Sequence, residues 1–116
     1  MSAKRLGRYL LNKSRSVLHF GYQEWQVGVT VWSDTDFAGR RDERKSTSGG
    51  VVMFGDHCLK SWSLMQTVVA LSSGEAEFQC LVKSGSQGLG IRALLGDLAV
   101  ECSVTLNTDA SAAIGI

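Results

Sequence analysis

VTVWSDTDFAG, residues 29–39, decides the fold: valines alternate with other residues as far as Trp32, and the run then turns polar at Asp34. Alternation at a period of two marks a strand with two different faces. Val27, Val29 and Val31 share one face, while Trp32 and Asp34 share the other, so Asp34 arrives at the end of an otherwise apolar strand. Two more carboxylates sit where other elements should begin or end: Glu77 in LSSGEAEF, residues 71–78, and Asp109 in SVTLNTDAS, residues 103–111. Brought together, the three would form a carboxylate nest for a divalent metal. Hard cations such as Mg²⁺ take oxygen ligands, and a pair of them clamps the attacking and leaving oxygens of a phosphodiester. The pattern therefore points to a nuclease.

Outward from this strand, the residues give an order of elements. Residues 3–13 place Leu6, Tyr9 and Leu10 on one helical face, with Lys4, Arg5 and Arg8 largely away from it: a short amphipathic helix in need of a partner. VLHFGY, residues 17–22, reads as a strand, followed by a polar break at Gln23 and Glu24 and then the strand WQVGVTVW, residues 25–32. DFAGRRDERKSTSGG, residues 36–50, is polar, charged and bounded by glycine, so a loop is expected. VVMFG and CLKSW, residues 51–55 and 58–62, predict a hairpin turning at Gly55, Asp56 and His57, with His57 as a turn residue. Ser72 followed by Glu75 matches a capping box and starts a helix at Ser73. Gly85, Gly88 and Gly90 then predict a kink or a break before the pattern resumes at Ile91, Leu94, Leu95 and Leu98. CSVTLNTD, residues 102–109, is a last strand, and residues 110–116 look like the start of a helix.

Helix, strands, long helix and strand suit a mixed α/β sheet with helices packed on it. A right-handed crossover through the long helix would lay residues 103–108 parallel to residues 27–32, so that Asp34 and Asp109 end adjacent strands on the same side, with Glu77 within reach. Each acid also has an ordinary reading. Asp34 has a rival in Asp36, Glu75 is better explained by the cap than by catalysis, and Asp109 could cap the helix that follows it.

Composition bounds the rest. At 116 residues the chain is about one domain, and twelve Lys and Arg against eleven Asp and Glu leave a formal charge of +1, which makes no case for a polyanion partner. The distribution says more: Lys4, Arg5, Arg8, Lys13 and Arg15 precede the first acid, Glu24. Arg40, Arg41, Arg44 and Lys45 are candidates for phosphate contact, although their interleaving with Asp42 and Glu43 equally fits a solvated loop. Cys58, Cys80 and Cys102 have neither disulfide nor zinc spacing and read as small buried or half-buried thiols of a reducing compartment. No apolar run is long enough for a membrane span, and MSAKRLGRYLL is too short and interrupted for a signal peptide, so a soluble intracellular protein is expected. Neither a GxSxG nucleophile motif nor a phosphate-cradling glycine loop is present.

The runs SDTDFAGRRDERKSTSGGVVMFG, KSWSLMQTVVALSSGEAEF and TLNTDASAAIGI closely resemble the ribonuclease H domain of copia-type retrotransposon polyproteins, over roughly residues 26–116. RYLLNKSRSVLHFGY, residues 8–22, resembles the segment that joins reverse transcriptase to that domain, so residues 1–25 are read as a basic amphipathic helix and connecting strand from the reverse transcriptase side. The resemblance implies a ribonuclease H-like mixed sheet. It implies hydrolysis of the RNA strand of RNA/DNA hybrids with Mg²⁺, or Mn²⁺, and a reverse transcriptase domain as neighbour. The compartment it implies is cytoplasmic, in a virus-like particle, or nuclear. Matched by motif, the family's metal-holding acids fall on Asp34, Glu77 and Asp109, and Ser73 joins the basic loop as a nucleic-acid contact. Thr67 stands where the family usually has proline. The family's fourth acid, fifth strand and last helix would lie beyond Ile116, so the expectation is a sheet truncated after its fourth strand and weak or absent activity for this chain alone. The alternative expectation is an inactive remnant that only binds nucleic acid or packs beside a polymerase.

Overall fold

The structure, a computed structural model, describes residues 3–40 and 45–108. It contains helix α1 (Ala3–Asn12), strands β1 (Gly28–Arg40), β2 (Lys45–Phe54) and β3 (His57–Met65), helix α2 (Ser73–Asp97) and strand β4 (Ser103–Thr108). The four strands form one mixed sheet in the order β3-β2-β1-β4. β1, β2 and β3 pair antiparallel, and β4 runs parallel to β1. The architecture is α/β and compatible with a ribonuclease H-like fold.

The sheet is covered on one face by α2. Val29, Val31 and Val52 are fully buried there, with Phe54, Trp62, Ile91, Leu95, Cys102 and Val104 packed around them. Burying apolar side chains removes roughly 25 cal/mol per Å² from the cost of solvation, and this one cluster is where the described chain does so most completely. α2 presents Ala76, Cys80, Ser84 and Gly88 to the sheet, a stripe at the four-residue spacing of one helical face. Small residues along that stripe let the helix axis come close.

That closeness explains why the expected break at the glycines does not occur: α2 is continuous from Ser73 to Asp97. A Cβ at Gly88 would stand 2.8 Å from a Val104 methyl and 2.9 Å from a Val31 methyl, so glycine there is required by the helix–sheet crossing rather than by a bend. The helix start is as expected, with Ser72 as N-cap and the Glu75 N–H donating to its hydroxyl at 3.1 Å. The Glu75 carboxylate reaches back further than the usual box, to the N–H of Leu71 at 2.8 Å. At the other end, the N–H groups of Ala99 and Val100 donate to Gly96 and Leu95 in a Schellman arrangement, with Ala99 in the left-handed region at φ 61°.

Three other expectations are corrected. Within the stretch expected to be a loop, residues 36–40 and 45–50 are strand: β1 and β2 continue their ladder through Asp34↔Gly49, Thr35↔Ser48 and Asp36↔Thr47 before a bulge, and Arg40 pairs with Lys45. Backbone pairing is indifferent to side-chain polarity, and Ser46 and Ser48 are small enough to be buried on the covered face. Residues 17–22 form no strand despite their apolar pattern, for they have no ladder partner; Val17 and Leu18 remain exposed. His57 is not a turn residue but the first residue of β3, paired with Phe54 across a two-residue turn in which Gly55 takes φ 62°. A left-handed φ at that position suits glycine and makes the turn tight. The amphipathic helix α1 is present and none of its residues is buried.

Candidate active site

Asp34 lies midway along β1, just past the point where the β1–β4 ladder closes and beneath the first turns of α2. By strand alternation the carboxylate lies on the face opposite the buried Val29 and Val31, and it is exposed. The N–H of Thr35 donates to Asp34 Oδ1 at 2.8 Å, and the Thr35 hydroxyl donates to the Thr47 carbonyl at 3.0 Å, which holds this stretch of β1 against β2. Asp34 lines a depression of about 580 Å³ on the bare face, together with Trp32, Gly49, Val51, Asn107 and Thr108. Its polar groups are oxygen or amide donors of the kind that suit a hard cation or a sugar–phosphate backbone.

Glu77 is half-buried in the first turns of α2. Its placement follows from its neighbours. One turn on, the thiol of Cys80 donates to the backbone carbonyl of Asp34 at 3.0 Å, so the start of α2 is pinned to the very residue that carries the strand's carboxylate. The buried amide of Gln66 pins it again, donating from Nε2 to the Ala76 carbonyl at 2.9 Å and to the Ser48 hydroxyl at 2.8 Å. The series Glu77, Leu81, Gly85 faces β4, because a Cβ on Gly85 would meet Leu106 at 3.6 Å. Glu77 thus lies toward β4 on the face that α2 covers, whereas the Asp34 carboxylate lies on the bare face, so the two are set at one level of the sheet but on opposite sides of it. On the other flank, Gln79 and Lys83 face a groove against Leu64 and Met65 of β3.

β4 reaches that level too. Its ladder with β1 closes on Ser33↔Thr108, the residues directly before Asp34 and Asp109 in the chain. Asp109 itself lies outside the described residues, as do Arg41 and Arg44. Among the described residues, no three His, Cys, Asp or Glu side chains form a group that could hold a metal ion. The backbones of Arg40 and Lys45 pair at the far end of the β1–β2 ladder, beyond the bulge, and Ser73 is the exposed first residue of α2. Asp36 is exposed on the same face as Asp34, one pleat further along β1.

Sequence reasoning missed Cys80 and Gln66 as the cross-links that set the end of α2 against β1 and β2. Gln66 carried a signal: it is a lone amide between an apolar strand and a helix cap. Cys80 carried none beyond its place, one turn after Glu77. The reading of the cysteines as buried or half-buried thiols agrees with the structure, in which all three are free.

Over 77 residues, 66% of this chain, the sequence is 36% identical to the retrovirus-related Pol polyprotein from transposon RE2 of Arabidopsis thaliana. Over 97 residues, 84% of this chain, it is 32% identical to the corresponding polyprotein from transposon RE1 of the same plant. Its homologues are retrotransposon Pol polyproteins. The chain spans only 5% and 6% of the length of those two relatives. It is also 33% identical over 89 residues to secreted RxLR effector protein 161 of Plasmopara viticola, covering 74% of this chain and 60% of that protein. No family model matches the chain, and no solved structure matches it significantly. Among the described residues, no helix is long and apolar enough to cross a membrane.

Proposed function

We propose that this chain is the ribonuclease H region of a copia-type retrotransposon polyprotein, acting on the RNA strand of RNA/DNA hybrids beside a reverse transcriptase domain. The observation that supports the reading is the pinning of α2 onto Asp34 through Cys80, which sets the first turns of α2, and with them Glu77, beside the part of β1 where the β4 ladder closes. Kinship with Pol polyproteins supports the same reading.

The exposed carboxylate of Asp34 and the oxygen-bearing side chains around it fit Mg²⁺ or Mn²⁺ in donor chemistry. Asp34, Glu77 and Asp109 would hold the metal. When bound, such ions supply Lewis-acid activation of water and stabilisation of a leaving oxygen. The chain's own contribution is to fix two of the carboxylates on separate rigid elements, and to leave an open face for the hybrid. Recognition would rest on groove shape, 2′-hydroxyl groups and phosphates, with Arg40, Arg41, Arg44, Lys45 and Ser73 as the contacts.

A second reading, binding or packing without cleavage, is favoured by the placement of the Asp34 carboxylate on the face of the sheet opposite α2, the helix that carries Glu77. One assay separates the two. End-labelled RNA/DNA hybrid, double-stranded DNA and single-stranded RNA are incubated with the chain, with and without Mg²⁺. Cleavage of the RNA in the hybrid alone, abolished by chelator, supports the nuclease. Retention of the hybrid without cleavage supports the second reading, and neither outcome leaves no role in hybrid metabolism for this chain.

A further inference from the structure

On the flank away from β4, the end of β3 and the adjoining side of α2 enclose a groove of about 300 Å³. Ser48 and Gln66 are the buried members of its lining and form the floor, Leu64 and Met65 make an apolar wall, and Gln79 and Lys83 of α2 make a polar one. The size is at the small end of the range for sites that hold a small molecule.

The floor holds an acceptor with nothing to accept. Gln66 is only 8% exposed, and its Nε2 donates to the Ala76 carbonyl at 2.9 Å and to the Ser48 hydroxyl at 2.8 Å. A carbonyl can only accept, so the amide cannot turn over without setting two acceptors face to face. Its Oε1 is therefore fixed in place, buried, and without a hydrogen-bond partner among the described residues. Buried acceptors are rarely left unpaired, because each gives up its bonds to water for nothing. The polar wall holds a cation with nothing to neutralise it. Lys83 lies one turn on from Gln79 on the same side of α2 and is half-buried. The helix positions three and four residues from it are Gln79, Cys80, Ser86 and Gln87, none of them acidic, and it pairs with no carboxylate among the described residues.

These groups together define a ligand. Gln66 Oε1 needs a donor, Lys83 needs an anion, and the Leu64 and Met65 wall needs an apolar or flat body. A metal ion is opposed by the charge of Lys83. A nucleotide carries all three features: a phosphate, N–H and O–H donors on base and sugar, and the flat face of the base. We propose that this groove is a nucleotide-binding site, with phosphate on Lys83, a base or sugar donor on Gln66 Oε1 and the base against Leu64 and Met65. The choice of a nucleotide among donor-bearing anions rests on the nuclease reading above, whereas the demand for an anion and a donor rests on the groove alone. The site is separate from the depression beside Asp34 and shares no lining residue with it.

The test is nuclear magnetic resonance on the whole chain with chelator present, so that metal-dependent cleavage does not enter the readout. Adenosine 5′-monophosphate should shift the side-chain amide groups of Gln66 and Gln79 and the backbone amide of Thr67, saturably, while Trp32 and Asp34 keep their shifts. Methyl phosphate keeps the charge but offers no donor at about pH 8, where a phosphate monoester is fully ionised, and should bind at least about fivefold more weakly. Lys83→Gln should weaken nucleotide binding by about tenfold at an unchanged urea midpoint. The trinucleotide ApApA distinguishes the source: tighter binding than the monophosphate assigns the groove to a unit of a strand, weaker binding to a free nucleotide. Absence of saturable shifts with both overturns the proposal. So does binding that is indifferent to Lys83→Gln, or methyl phosphate that binds as tightly as the nucleotide. Hybrid cleavage by a chain that takes no nucleotide here would leave the nuclease reading standing and this site refuted, and binding here without cleavage would do the reverse.

Discussion

The two faces of one sheet do different work, and β1 displays both. On the covered face Val31 is 0% exposed beneath α2, while its chain neighbour Trp32 is 54% exposed on the bare face beside Asp34. The contrast teaches that stability and the candidate chemistry are separated at single-residue spacing. Strand alternation sends each residue to the opposite side from the last, so a site can be built on a strand without spending its core. The separation predicts that substitutions on the bare face alter activity with little change in stability, and that substitutions on the covered face do the reverse.

The largest expected effect tests the bare face. Asp34→Asn should bring hybrid cleavage down to background in a chain that cleaves, because the side chain loses the charge that would hold a divalent ion while keeping its size. Asp36→Asn, one pleat further on, should lower cleavage only modestly. Urea unfolding of Asp34→Asn should stay within roughly 0.5 kcal/mol of the wild type, the usual range for an exposed position. A stability loss several times larger would mean that Asp34 supports the fold, and the division between faces fails. Equal losses of cleavage at the two positions would mean that the wrong carboxylate has been assigned.

The covered face is tested next by Val31→Ala. This removes two methyl groups from a fully buried side chain in contact with α2, and should cost roughly 2 kcal/mol from lost transfer energy and the cavity left behind. Denaturant titration reads the loss directly. If Mg²⁺ binds as proposed, the amide shifts it induces at Thr35 and Glu77 should persist in the folded variant. Their disappearance would show that the site depends on core packing more closely than the alternation of faces implies.

What was legible in the sequence follows the same division. Val29 and Val31 alternating into SDTD showed the strand and its faces, since a period of two is a property of adjacent residues, but not its length: β1 runs on past Asp34 to Arg40 because its pairing with β2 continues. Ser72 with Glu75 gave the start of α2, likewise from neighbouring residues. Residues 36–50 misled because their polarity suggested solvent, whereas the pairing of β1 with β2 is a non-local matter of backbone groups and the buried serines need only be small. Residues 17–22 misled in the opposite sense: the local pattern is that of a strand, but no neighbouring strand edge receives it. Gln66 and Cys80 hold the candidate site together through contacts across 18 and 46 positions, and no local pattern encodes those.

The smallest effects, and the sharpest test of the comparison, lie two residues apart on α2. At Gly88 an added methyl would meet Val104 and Val31 methyls inside 3 Å, while at Gly90 it would meet nothing within 4 Å. Alanine in place of glycine favours a helix interior by about 1 kcal/mol at either position, by limiting the freedom of the unfolded chain. At Gly90 that gain should appear almost whole, raising stability by roughly 0.5 to 1 kcal/mol. At Gly88 overpacking against the sheet costs about 1–3 kcal/mol, which outweighs the gain and should leave the variant roughly 1 kcal/mol less stable. The sign of the change should therefore reverse between two glycines in the same helix, read as opposite shifts of the urea midpoint at unchanged slope. Equal stabilisation at both would mean that α2 rides higher on the sheet than the Gly88 contact requires, and the reason for its unbroken run through the glycines would have to be sought in the helix alone.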